Sequence, residues 1–461
     1  MQTKIPKFFD SSVAANYLVA TILVAVPFHA FLTVWGSSLV GYYTALRLWD
    51  NALLLVLLGI VGWWIVRDRS LRVWLAGSLL VRLIAAYAAL SVLIGLIALA
   101  KGEVTVQALG YGLLVHLRFL GWFLAVVLVV RRSAWLRRVW PRLLLFPALI
   151  VVIFATLQYT VLPHDFLSHF GYNKDATIAP INTINHNPAY IRVQSFLRGP
   201  NVLGAYLVVV LSALAVLFVR GRRRLACAAF GALGLFALYA SGSRSAWIGT
   251  FISLAVVAVL CVRRLRTRLL VGAAAAGVVV LGAIGFLVFQ HNEALQNAVL
   301  HTEYGSAITV DSNEAHADAL TSGVSDLWHQ PFGDGPGTAG PASQHNSGHS
   351  PRIAENYFVQ IAQETGWLGL ALLISIMVLV AVELYTRTAG SRLALMLFAS
   401  LIGVLFVSLL SHAWTDDTLA YAWWGLAGIA VGAPANNAGA ARAAGSRPGR
   451  KTVKTRETGV I

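Results

Sequence analysis

The chain has 461 residues, of which 58% are hydrophobic and only 12% are charged. Soluble globular domains carry about 25% charged residues, so this composition excludes an ordinary soluble domain and favours a membrane protein. A formal net charge of +16 is compatible with a nucleic-acid partner, but the distribution of that charge along the chain argues against one.

Apolar runs of membrane-spanning length recur along the whole chain. A helix needs about 20 predominantly apolar residues to cross the hydrocarbon core of a bilayer. The first run lacks the small-residue cleavage site of a signal peptide, and we interpret it as a retained helix. The twelve runs are 13–36, 50–66, 73–99, 108–130, 143–162, 200–219, 225–241, 245–262, 269–290, 366–386, 392–410 and 418–433.

The basic residues alternate with these runs in a way that predicts the topology. Threading twelve helices from a cytoplasmic N-terminus places 26 Lys and Arg residues in the cytoplasm and seven on the opposite side. This asymmetry obeys the positive-inside rule and predicts that both termini are cytoplasmic. The positive charge therefore sets the orientation of the protein in the membrane and attracts anionic lipid headgroups. We expect no nucleic-acid partner.

The runs define one transmembrane domain, residues 1–433, followed by a basic tail, 434–461, whose composition predicts disorder. Two long loops fall on the outer side, at about 163–199 and 291–365. Loops of this length are often functional. The second is predicted to be partly helical at 312–330, and its "IAENYFVQIAQETGWLGL" predicts an amphipathic helix that enters the tenth span.

Three arginines interrupt the charge pattern on the outer side, close to the apolar layer. They are Arg192, Arg198 and Arg244. An arginine in such a place needs an anionic partner, which is a lipid headgroup, a local carboxylate or a substrate. A guanidinium matches the paired oxygens of a phosphate and keeps its charge. Three such residues together favour a pyrophosphate site.

The stretch "HNSGHSPRIAENYF" gathers His345, His349 and Glu355 within eleven residues of the second loop. Each could accept a proton from an acceptor hydroxyl, although solvated loop histidines are common. Asp416 and Asp417 could hold a divalent ion, but such a pair more often caps a helix N-terminus. Neither HExxH nor paired CxxC occurs, so we expect no metal, and "GDGPGTAG" lacks the ending of a nucleotide-binding P-loop.

Four segments resemble the O-antigen ligase/polymerase family of integral membrane glycosyltransferases: "SFLRGPNVLGAYLV", "SGSRSAWIG", "PFGDGPGTAG" and "ENYFVQIAQETGWLGL". The resemblance covers roughly 190–430. Ligases of the family often show a His-Asn pair, then nine residues and Gly-x-x-Gly. Here Glu355 takes the place of the histidine, and Asn356 keeps its own. The implied fold is an all-α polytopic membrane protein similar to the class C glycosyltransferases.

The resemblance implies periplasmic-face transfer of a glycan from undecaprenyl pyrophosphate to lipid A-core in the inner membrane of a bacterium, without a cofactor. The alternative is a polymerase that transfers to another glycan. A lipid-linked glycan transporter is less favoured, because only Arg82 and Arg118 lie within spans and neither has an evident acidic partner. A third alternative, a non-catalytic scaffold for envelope assembly, would not explain the positions of Arg192, Arg198 and Arg244.

The predicted roles follow from this reaction. His349 is the first candidate for the base, Glu355 the second and His345 the third. The polar stretch would form the acceptor-side wall of a site whose floor is arginine and lipid. The predicted substrate-binding residues are Arg192, Arg198, Arg244, Asn201, Arg352, Asn356 and Tyr357.

Overall fold

A computed structural model describes residues 10–184, 187–262 and 312–433, with isolated positions between 264 and 288. The described part of the chain is mainly helical. The helices before the first gap are α1 Ser11–Ala25, α2 His29–Val40, α3 Tyr43–Leu46, α4 Trp49–Arg67, α5 Arg69–Gly77, α6 Leu79–Lys101, α7 Val106–Arg132 and α8 Trp135–Thr160. Those after it are α9 Pro200–Arg220, α10 Arg224–Ala240, α11 Arg244–Cys261, α12 Ser312–His329, α13 Tyr357–Arg387, α14 Arg392–Ser408 and α15 Asp417–Val431.

A small antiparallel sheet and four short 3₁₀ helices complete the described structure. Strands β1 Asn182–Ile184 and β2 Asn187–Arg192 pair within the first long loop. The 3₁₀ helices are Val26–Phe28, Phe166–Phe170, Gly340–His345 and Ala413–Thr415.

The described residues contain eight helical segments that are long and apolar enough to cross a membrane. The first of them, Ser11–Val40, combines α1 and α2 across the 3₁₀ turn that contains Pro27. Together with α10, α14 and α15, these segments coincide with eleven of the twelve predicted runs. The chain is thus a multi-pass membrane protein, as predicted. The run 269–290 and the tail 434–461 lie largely outside the described residues, so the count of twelve and the class C likeness stay predictions.

The helix bundle packs closely where small residues face each other. A Cβ at Gly249 of α11 would lie 2.7 Å from the carbonyl oxygen of Gly403 in α14, so only glycine allows these backbones to approach. Small residues at interfaces are typical of membrane helices, which gain little from hydrophobic burial against one another. Four fully buried tryptophans fill the bundle beside them: Trp122, Trp414, Trp423 and Trp424.

The glycine-rich segment 333–340 folds back against the outer ends of α6 and α7. Gly337 has a φ of +97°, and a Cβ there would meet the Ala108 carbonyl oxygen at 2.3 Å. Its N–H donates to Glu364 Oε1 over 2.6 Å. Glu364 lies in α13, which was predicted as an amphipathic helix entering the tenth span and which kinks at Gly366. Helix α12 confirms the helix predicted at 312–330.

Candidate functional site

A cavity of about 380 Å³ opens among the helix ends on the side predicted to face the periplasm. The starts of α4 and α9, the outer half of α7 and two segments, 341–353 and 411–419, form its wall. Its polar lining consists of Arg47, Asn51, Tyr111, Arg118, Arg198, Asn201, Gln344, Ser411, His412, Thr415, Asp416 and Asp417.

Two of the lining arginines influence each other. Arg47 precedes α4, and Arg198 lies two residues before α9, whose first residue is Pro200. Burial and the charge of Arg198 together lower the pKa of Arg47. The two positive charges repel each other, Asp417 offsets part of the charge of Arg47, and a bound anion would relieve more of the repulsion. The arrangement favours a ligand with at least one phosphate.

The third lining arginine, Arg118, has an acidic partner. Its guanidinium forms an ion pair with Asp417 and donates to the Thr415 carbonyl oxygen over 2.9 Å. The sequence analysis found no acidic partner for Arg118, and that interpretation is wrong. The partner lies 299 residues away along the chain, so only the fold brings the two charges together. The pair stabilises the floor of the cavity between α7 and α15.

Asp416 and Asp417 take different positions at the start of α15. Asp416 caps the helix, because its Oδ1 accepts from the N–H of Thr418 over 2.9 Å. Burial and the neighbouring charge of Asp417 raise the pKa of Asp416. This matches the capping role that the sequence analysis preferred for such a pair.

Asp417, His29 and Asp50 form a cluster whose ligand-type atoms lie within 4.8 Å of one another. Three such groups can hold a metal ion, so we asked whether they are engaged. Asp417 pairs with Arg118, and His29 Nε2 lies 3.0 Å from the Arg47 carbonyl oxygen and 3.4 Å from Asp50 Oδ1. These contacts make the cluster an internal ion-pair network with its own cations. The expectation of no metal stays a prediction.

Of the three arginines predicted to bind pyrophosphate, only Arg198 lines the cavity. Arg192 ends strand β2, where its guanidinium donates to the Ser241 carbonyl oxygen over 2.9 Å and to Asn201 Oδ1 over 2.6 Å. Asn201 lines the cavity and thus connects Arg192 with it. Burial and the charge of Arg244 lower the pKa of Arg192 to about 10, which leaves it cationic at neutral pH.

The three candidate bases differ in their relation to the cavity. His345 stacks on the lining residue Tyr111, with ring centroids 4.3 Å apart. Burial and the charges of Arg47 and Arg198 lower its pKa. His349 is exposed.

Glu355 is not among the lining residues, but its neighbours along the chain connect to the cavity wall. Ile353 lines the cavity, and the Asn356 Nδ2 donates to the Leu409 carbonyl oxygen over 2.9 Å, next to the lining segment 411–419. Glu355 also has a φ of +51°, which is unusual for a residue with a side chain. Such strain clusters at functional sites, where the surrounding structure maintains it.

The remaining predicted substrate-binding residues make contacts within the protein. Arg352 donates to Asp334 Oδ2 over 2.5 Å and to Asp326 Oδ2 over 2.8 Å. Asn356 caps α13 through Oδ1, and Tyr357 is buried. Their roles in substrate binding stay predictions, and the contacts of Arg352 and Asn356 hold this part of the loop in place.

Sequence reasoning missed several residues of the wall. Arg47 was counted among the seven outer basic residues, and the argument used for the other arginines would have found it. Tyr111 and His412 carry no such signal, because an aromatic or histidine residue at a helix end is common.

A comparison with known families agrees with the motifs. Residues 229–374 match a family model described as O-antigen ligase. The match runs from α10 to α13 and includes the glycine-rich segment, Glu355 and Glu364. It confirms the resemblance that the sequence motifs indicated. No curated protein matches the chain at a significant level.

Proposed function

We propose that this relative of the O-antigen ligases transfers a glycan from undecaprenyl pyrophosphate to lipid A-core, on the periplasmic face of the inner membrane. The observation that carries the proposal is the cavity among the ends of membrane helices that both Arg47 and Arg198 line. A lipid-linked pyrophosphate would lie at that depth. Its polyprenyl chain would remain in the bilayer.

The donor step needs stabilisation of negative charge. As the bond between the anomeric carbon and the pyrophosphate oxygen breaks, the sugar acquires oxocarbenium character and the electron pair goes to the pyrophosphate. Arg198 and Arg47 would bind that leaving group, and their charge matters most as it develops. Arg192 would hold Asn201 in place at the cavity wall through the 2.6 Å hydrogen bond.

The acceptor step needs a base on the opposite wall. Among the three predicted candidates, none of which lines the cavity itself, we favour Glu355, because it occupies the family's histidine position, adopts a strained conformation and lies two residues from the lining residue Ile353. His345 would then orient the acceptor beside Tyr111, and His349 would be dispensable. The proton of the attacking hydroxyl would pass to the Glu355 carboxylate as the new glycosidic bond forms.

The proposal is tested with purified protein, an undecaprenyl-pyrophosphate glycan and either lipid A-core or a second glycan as the acceptor. We expect transfer to lipid A-core and its persistence in EDTA. Arg198→Ala should lower transfer at least a hundredfold, because one donor to a developing anion is worth about 10²–10³ in rate. Lys174→Ala, an exposed cation on the same side, is the control.

Two further variants assign the base. Glu355→Gln should lose about 10²–10⁴ in transfer rate while donor binding persists, and His349→Ala should stay near wild type. The opposite pattern would make His349 the base. Transfer only to the second glycan would establish a polymerase instead of a ligase, and donor movement across vesicles without transfer would establish a transporter.

A further inference from the structure

A second cavity, of about 340 Å³, lies at the opposite end of the helix bundle. The start of α6 and the last turns of α7, α13 and α15 surround it, together with Trp74 of the short helix α5. These helix ends belong to the side with the short basic connections, so this cavity is separate from the candidate site.

The rim of this cavity is cationic. The Arg131 guanidinium lies 4.2 Å from the centroid of the Trp74 ring, and no carboxylate of the described residues is within ion-pair distance of it. Arg387 pairs with Glu383 and donates to the carbonyl oxygens of Ala430 and Ala433 over 2.8 and 2.7 Å. The charges of Arg387 and Glu383 offset each other, so Arg131 leaves the rim with a net positive charge.

The walls become apolar in the direction of the membrane centre. On α7, Phe123 lies eight residues before Arg131, and on α13, Leu379 lies eight residues before Arg387. Eight residues of helix span about 12 Å. On α7, apolar side chains therefore follow the rim arginine toward the membrane centre, and on α13 the ion pair of Arg387 and Glu383 lies at the rim with Leu379 beyond it. Leu124 and Val127 continue the apolar wall.

The position of the rim agrees with a membrane surface. Tryptophan and arginine are enriched at the level of lipid headgroups, and basic pockets between helices bind anionic headgroups. The start of α6 also lines the cavity, with Ser78 as its N-cap. The N–H groups and dipole at such a helix start add to the attraction that Arg131 exerts on a phosphate.

We propose that this cavity binds one anionic phospholipid. The lipid phosphate lies beside Arg131 and the start of α6, and the upper part of an acyl chain lies along the partly exposed Leu124 and Leu379. The order of charge and apolar surface with depth matches a phospholipid. A soluble anion would leave the apolar wall unused. The proposal does not depend on the transfer reaction and concerns the opposite side of the protein.

Native mass spectrometry of the full-length protein tests this proposal, with phosphatidylglycerol and phosphatidylcholine of identical acyl chains as probes. We expect one phosphatidylglycerol to bind more tightly than phosphatidylcholine. Arg131→Gln should weaken phosphatidylglycerol binding about fivefold, the effect of one surface arginine. Arg224→Gln removes an exposed arginine at the start of α10, outside the cavity, and should change nothing.

A second variant tests the apolar wall without changing any charge. Leu379→Trp should fill the cavity and weaken the binding of both lipids. Equal affinity for the two lipids in the wild type, or an equal loss in Arg131→Gln and Arg224→Gln, would overturn the proposal. So would a several-fold gain in lipid binding after removal of residues 434–461, because that result would make the chain's own tail the occupant.

Discussion

Arg47 and Arg198 affect more than the ligand they would bind, because their charges reach His345. Burial and these two cations hold the pKa of His345 below its ordinary value. The neutral form, which can accept a hydrogen bond, is therefore favoured at neutral pH. The stack on Tyr111 fixes the plane of the ring beside the cavity. We infer that the cations both attract the donor and keep a neighbouring imidazole uncharged.

This coupling can be measured. Arg47→Gln removes one of the two cations and should raise the pKa of His345, so that the ring becomes protonated at a higher pH than in the wild type. Histidine NMR of labelled protein in micelles gives the titration. Lys101→Gln, which removes an exposed outer cation paired with Glu103, should leave the titration unchanged. An unaltered His345 titration in Arg47→Gln would show that burial alone sets the shift.

Residues near an apolar run were predictable, and residues brought together by folding were not. Arg198 and Asn201 adjoin the sixth run, so their place near the membrane surface follows from hydropathy alone. The ion pair between Arg118 and Asp417 joins segments almost 300 residues apart. No local sequence pattern predicts that ion pair. Hydropathy thus indicates which of the predicted residues lie near helix ends, whereas contacts that depend on packing were missing from the prediction.

At the scale of elements, α13 holds the glycine-rich segment through one carboxylate. Glu364 accepts from Gly337 N over 2.6 Å and from Gln360 Nε2 over 3.1 Å, and His116 Nε2 lies 2.7 Å from it. Tyr87 Oη in turn lies 2.8 Å from His116 Nδ1. All of these groups are buried, so α6, α7, α13 and the segment 333–340 depend on one hydrogen-bond network.

Glu364→Gln tests this network. The substituted amide has one acceptor oxygen instead of two, so at least one buried donor loses its partner. We expect a loss of about 2 kcal/mol in the free energy of unfolding, measured by chemical denaturation in micelles. Glu103→Gln breaks a surface pair and should cost less than about 1 kcal/mol. Equal losses would mean that Glu364 contributes no more than a surface carboxylate.

Substitutions at two glycines of the second loop distinguish the cost of backbone strain from the cost of close packing. Gly337 and Gly348 have φ of +97° and +88°, but only Gly337 has neighbours within 4 Å of an added Cβ. Gly348→Ala should cost about 1–2 kcal/mol of stability through its conformation alone. Gly337→Ala should cost about 1–3 kcal/mol more, because its Cβ meets the backbone of α7. Thermal unfolding of the two variants measures the difference, and equal costs would place the segment away from α7.

Elements were predictable from the sequence to different degrees. Hydropathy located eleven runs that are helices, because length and apolarity are properties of each segment. Hydropathy did not predict the boundary between α5 and α6 or the break at Pro27. Each of these breaks depends on a single residue within a stretch that is otherwise apolar. The docking of the segment 333–340 was also hidden. The surface that its glycines approach belongs to other helices, which a local sequence pattern does not reveal.

On the scale of the whole molecule, the two cavities lie at opposite ends of the bundle, and the charge asymmetry predicts which end faces the cytoplasm. The candidate site collects arginines of the predicted outer side, whereas Arg131 and Arg387 belong to the 26 basic residues predicted for the other side. In our two proposals, the same residue type binds the substrate at one end and contacts lipid at the other. Reversing the topology would exchange these roles and place the candidate site in the cytoplasm.

Cysteine accessibility in intact cells tests the topology directly. After replacement of Cys227 and Cys261 by alanine, a single cysteine is introduced at Ser312, in the second long loop, or in the tail beyond position 433. The 26-to-7 asymmetry of basic residues predicts that an impermeant maleimide added outside labels Ser312→Cys and not the tail. Tail labelling should require permeabilised cells. Labelling of the tail from outside would show that the topology is the reverse of the predicted one. The cavity lined by Arg47 and Arg198 would then face the cytoplasm and could not bind a donor at the periplasmic face.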